Sequence, residues 1–141
     1  MALEVTREGV WAVSLADQPG SLAGKLELLA AAGVNLTFVI ARRDHAQVGR
    51  GVVFVTGIGG GVQEQAALEA GFAKTESLHS VRVEGPDEAG LAASVTGALG
   101  KVGLNLRGYS AAALGDRAVM HLAFDTDAEA SKAVGVLERQ V

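Results

Sequence analysis

The chain is 141 residues long, with 49% hydrophobic and 20% charged residues, no cysteine and a formal net charge of -4. These figures exclude zinc–thiolate sites, thiol nucleophiles and disulfide staples. The acidic balance, with four Phe, one Tyr and one Trp, argues against a nucleic-acid surface, which needs a basic stripe and stacking rings.

In chain order, residues 3–6 read as a short strand interrupted at Gly9, and residues 10–15 as a second extended stretch. Trp11, Val13 and Leu15 share one of its faces. Residues 17–21 form a turn in which Asp17 or Ser21 is suited to capping a helix and Pro19 to its first turn. Leu22, Leu26 and Leu29 then recur as one stripe of an amphipathic helix, which Gly33 is placed to end in a left-handed conformation. Residues 35–41 alternate again through Leu36, Phe38 and Ile40. A polar loop over 42–50 leads into the β-rich run 52–56; its Arg42, Arg43 and Arg50 suit either an anion or plain solvation. The glycine-rich stretch 57–61 lacks the Lys-Ser/Thr sequel of a phosphate loop and reads as the approach to a second helix over 62–70.

The β-α-β-β-α order then starts again. Val81 and Val83 take the inward positions of Trp11 and Val13. A helix is predicted over 88–102, with Leu91, Val95, Leu99 and Val102 inward and Gly103 at its end. Strands over 105–113 and 118–124 flank a tight hairpin loop. Asp127 is placed to cap a last helix over 128–139, with Ala130, Val134 and Leu137 inward. The repetition is literal at the turns: Asp17, Gly20, Ala23, Leu29, Gly33, Asn35 and Leu36 map without a gap onto Asp87, Gly90, Ala93, Leu99, Gly103, Asn105 and Leu106. A period of 70 leaves room for two units, residues 1–72 and 73–141.

One element is unequal. Residues 72–78 can supply a fourth strand to the first unit, whereas the second ends within a few residues of its last helix. Two placements of the spare N-terminal strand are open. It crosses over to complete the second sheet, whose bare edge would otherwise invite aggregation, or residues 3–15 form one long bulged strand of the first unit.

A βαββαβ unit is the ferredoxin-like motif. The fold class predicted is therefore α+β: two ferredoxin-like βαββαβ units in tandem, with antiparallel sheets and helices on one face. Asp17-Gln18-Pro19-Gly20-Ser21-Leu22, after an alternating strand and before a helix that ends Ala32-Gly33-Val34-Asn35-Leu36, resembles the ACT domain, a small regulatory module of amino-acid metabolism. The resemblance spans nearly the whole chain as two copies. Copy two departs from it at Ala89, where Pro is expected, and in Leu91-Ala92, which reverses the order of Ser21-Leu22.

The resemblance implies a non-catalytic sensor that binds an amino-acid-like ligand where ACT units meet. Carried over position by position, it points to Asp17, Gln18, Gly20, Ser21, Leu22 and Asn35, and to Asp87, Glu88, Gly90, Leu91 and Asn105. The chemistry suits a zwitterion: helix N-termini favour a carboxylate, the aspartates an ammonium, and the Asn amides both donate and accept. Asp17 and Asp87 serve equally as helix caps, and Asn35 and Asn105 as turn residues. No cofactor or metal is expected, since His45, His79 and His121 show no ligand spacing. A homodimer is expected, with an enzyme or transporter of amino-acid metabolism as partner, and no nucleic acid or membrane. No apolar run approaches the length of a membrane span, and residues 1–5 have neither region of a signal peptide, so the location expected is cytoplasmic. The rival readings are a ligand-free interaction module and a small enzyme using the histidines as acid–base groups.

Overall fold

The computed structural model describes residues 2–140. Its first strand, β1 (Glu4–Glu8), does not pair with its sequence neighbour, β2 (Trp11–Ala16). The strands sort into two four-stranded antiparallel sheets, and the chain divides into two compact units, residues 9–75 and residues 1–8 with 76–141.

In residues 9–75, β2 is followed by α1 (Ser21–Ala31), β3 (Phe38–Arg43), β4 (Arg50–Thr56), α2 (Gly61–Glu69) and β5 (Ala73–Lys74). The sheet order is β3-β4-β2-β5. Alternation explains the core: Trp11 and Val13 of β2 lie opposite Val55 and Val53 of β4. All four are buried, and they pack with Leu29 of α1, Ala67 of α2 and Phe72. Burying each large side chain contributes about 1.5–3 kcal/mol. Leu22 and Leu26 flank this cluster half-buried. The fourth strand expected from residues 72–78 shrinks to Ala73–Lys74 on β2, extended by Thr75, whose N–H donates to the Val10 carbonyl at 2.8 Å.

The second sheet runs β1-β6-β8-β7 and contains β6 (His79–Pro86), β7 (Gly108–Leu114) and β8 (Arg117–Phe124); α3 (Leu91–Lys101) and α4 (Asp127–Glu138) complete the unit. Its core joins Val81, Val83, Leu91, Val95, Leu99, Leu122, Phe124, Ala130 and Leu137. Two expected core positions change. Val102 is the C-cap of α3 and is exposed, because the chain turns away at Gly103 before the stripe is completed. On α4, Ala133 and Val136 are buried while Val134 only flanks the core.

The strand β1 takes the fourth place of this second sheet. It runs antiparallel to β6, from Glu4 opposite Glu84 to Glu8 opposite Ser80. Leu3 and Val5 pack against the core. The Glu8 carboxylate is buried; it accepts from Ser80 Oγ at 3.1 Å and lies 2.8 Å from His121 Nδ1, itself buried. At the surface, the Arg7 guanidinium donates to Asp127 Oδ1 at 2.8 Å and Ser131 Oγ at 3.0 Å, fastening β1 to the first turn of α4.

That surface clasp predicts an acid response. The hydrogen bond from Arg7 holds the Asp127 carboxyl below its ordinary value of 3.8. A depressed carboxylate contributes stability above its unfolded value and loses it as the pH falls through the lower folded one. Acidification below about pH 4 is expected to lower the melting temperature slightly, because the pair is exposed. Asp127→Asn should flatten that part of the profile, as read by melting curves across the acid range.

Helix starts differ from expectation for one reason. Gly20 and Gly90 are the N-caps of α1 and α3, with φ of 86° each and no side-chain cap hydrogen bond. Only glycine adopts that left-handed conformation without strain, so α3 begins at Leu91 rather than near Glu88, and neither aspartate caps its helix.

Candidate functional site

The β2–α1 turn of residues 9–75 gathers four of the residues singled out in the sequence. Asp17, Gln18, Ser21 and Leu22 line a groove of about 260 Å3, together with Leu15, Ala16, Gly51, Val52, Val53 and residues 41–43 of β3. The turn is held by backbone contacts: Asp17 N–H donates to Gly49 O at 3.0 Å, and Ser21 N–H to Gln18 O at 3.3 Å. Gly20 lies on an adjoining groove with Ser14, Gly24, Lys25 and Arg50, where the Arg50 guanidinium donates to Ser14 Oγ.

Arg43, read in the sequence with Arg42 and Arg50 as a loop arginine suited to an anion or to solvation, joins this turn. Its Nε donates to Asp17 Oδ2 at 2.8 Å. Alternation puts it there: Val39, Ala41 and Arg43 face the same way, opposite Val55, Val53 and Gly51 of β4, whereas Arg42 pairs with Val52 and points to the other face. The loop read as starting at Arg42 begins two residues later, and that shift turns a solvated arginine into a strand residue. The available signal was the alternation of residues 38–43 continued by two positions.

The equivalent turn of the second unit gathers Asp87, Glu88, Gly90 and Leu91 in a groove of about 480 Å3, with Ala92, Ala93, residues 111–113, Ala118 and Met120. Asp87 N–H donates to Asp116 O at 2.8 Å. The hairpin loop here is shorter, Gly115 and Asp116, than the residues 44–49 that connect β3 to β4.

Asn35 and Asn105 lie outside these grooves. Each sits in the stretch between a helix and the next strand, three residues before that strand starts. The Asn35 carbonyl packs under Gly57, where a Cβ would come within 2.7 Å of it. The glycine stretch above it is ordered by Gln63, whose side chain accepts from Gly59 N–H at 3.0 Å and donates to Gly33 O at 3.1 Å.

Among the described residues, no group of three His, Asp or Glu side chains is placed to hold a metal ion, and no helix is long and apolar enough to cross a membrane. His121 is spent on Glu8, and His79 Nε2 lies 2.9 Å from the Glu76 carbonyl.

No protein-family model and no curated protein matches the chain. Solved structures do. Protein BT0572 from Bacteroides thetaiotaomicron superposes with a TM-score of 0.78 at 19% identity, over 96% of this chain and 90% of that one. The ligand-free regulatory subunit of aspartate kinase from Thermus thermophilus gives 0.63 at 16% identity, over 98% and 94%. Aspartokinase III from E. coli, in complex with lysine and aspartate, gives 0.56 at 18% identity, over 99% of this chain but 32% of that one. Identities this low speak to fold. Two βαββα units with a fourth strand on each sheet give this chain the fold of these structures, and the likeness to the aspartate kinase regulatory subunit runs end to end.

Proposed function

We propose that the protein is a non-catalytic regulatory module that senses a free amino acid at the β2–α1 turn and alters the activity of an enzyme of amino-acid metabolism. The observation that carries this reading is the groove that brings Asp17, Gln18, Ser21 and Leu22 together beside Arg43. It puts an acid, a base and neutral hydrogen-bonding groups on one apolar recess, which is the complement of a zwitterion with a side chain. The end-to-end match to a regulatory subunit of aspartate kinase supports the partner class. Ligand binding can act on a partner only by favouring one arrangement of the module over another.

A homodimer belongs to the same reading. The edge strand β7 carries exposed Tyr109 and Leu114 beside Ala111, Ala112 and Ala113, a surface suited to a second copy.

The test is calorimetric titration and thermal shift against each of the twenty amino acids. At least one is expected to bind at millimolar concentration or tighter and to raise the melting temperature by mass action. If none does either, the sensor reading fails and the ligand-free interaction module takes its place.

A further inference from the structure

Resting on that reading, we propose that the Asp17–Arg43 pair receives the charged head of one neutral aliphatic amino acid per chain, and that the second unit binds none. Arg43 is bound to Asp17 through Nε alone, so among the described residues both terminal nitrogens remain free for a carboxylate. Asp17 engages Arg43 through Oδ2, which leaves Oδ1 for an ammonium. The two charges of an α-amino acid are therefore met by one pre-formed pair, without that pair opening. Beside it the groove is lined by Leu15, Leu22 and Val53. Gly51 adds no side chain. A lysine or aspartate side chain laid against these three apolar residues would lose water at a cost, whereas valine or leucine there gains from burial.

The second unit repeats the frame without the receptor. Ala113 lies opposite Ala118 as Arg43 lies opposite Gly51, and Ala111 opposite Met120 as Ala41 opposite Val53. An alanine thus stands where the guanidinium is, and Glu88 stands where Gln18 is. A carboxylate placed in that groove meets Asp87 and Glu88, with no basic side chain in the lining.

The experiment is calorimetry on the full chain with L-valine, L-lysine, L-aspartate, isobutylamine and 3-methylbutanoate; the last two are valine without its carboxylate and without its ammonium. Expected are one L-valine per chain and weaker binding of all four others. Arg43→Ala and Arg43→Gln should each weaken L-valine binding roughly 10- to 100-fold, the worth of a charge-assisted hydrogen bond. The melting temperature should stay close to that of the unaltered chain, because the pair is exposed. Two L-valine per chain, undiminished binding to both Arg43 variants, or tighter binding of lysine or aspartate overturns the receptor assignment while the sensor reading stands. Failure of every one of the twenty amino acids overturns both.

Discussion

Removal of residues 1–8 is expected to expose β6 amides to rapid hydrogen exchange while the β2 and β4 amides keep their protection. The deletion takes the fourth strand off the β1-β6-β8-β7 sheet and bares the β6 edge along its length. It removes Leu3 and Val5 from the core cluster. It also takes the Glu8 carboxylate away from His121 and Ser80. Breaking a buried pair of this kind costs about 3–5 kcal/mol, against a total domain stability of about 5–15 kcal/mol. The lost ladder and apolar contacts add to that, so residues 76–140 should unfold or aggregate. Hydrogen exchange read by mass spectrometry separates the two units. Unchanged protection of β6 after the deletion would show that β1 is dispensable and sink the account.

The second large effect is expected at Gly57. Its φ is 108°, and an added Cβ would stand 2.7 Å from Asn35 O, 2.9 Å from Thr37 N and 3.2 Å from Leu36 Cα. All three are backbone atoms, which cannot rotate aside. Left-handed strain costs about 1–3 kcal/mol, and the forced shift of packed backbone about as much again. Gly57→Ala should therefore destabilise by about 2–6 kcal/mol, seen as a lower urea midpoint at unchanged slope. Gly59→Ala is the control, since its Cβ would meet nothing within 4 Å; a change within about 0.5 kcal/mol is expected there. Equal effects at the two positions would refute the clash. The position is specific to the first unit. In the second, β8 runs on to Phe124 opposite His79, and that side chain is fully buried.

The candidate site was half legible. Asp17, Gln18, Ser21 and Leu22 share a groove because a short turn before a helix keeps sequence neighbours together. Asn35 and Asn105 carried the same repeat signal, yet they lie outside the grooves. The glycine stop that makes them recur is a backbone device of the helix end: Gly33 and Gly103 have φ of 80° and 78°. Gly20 and Gly90 recur for a related reason, since both N-caps are left-handed. Repetition at these places records helix geometry first.

By itself the sequence determined the two-unit plan, the order of elements and most of the core, because helix and strand periods are local and write themselves into spacings of a few residues. Leu91, Val95 and Leu99 are buried as that spacing requires. Only the tertiary structure decided where β1 belongs, because an edge strand carries no mark of which of two similar sheets it will join. Its partners Ser80 and His121 stand 72 and 113 residues from Glu8. The tertiary structure also brought Arg43 to Asp17, 26 residues away, through strand pairing that no local window contains. Alike in sequence at their turns, the two units differ in charge because that pairing sets an arginine beside one aspartate and an alanine beside the other.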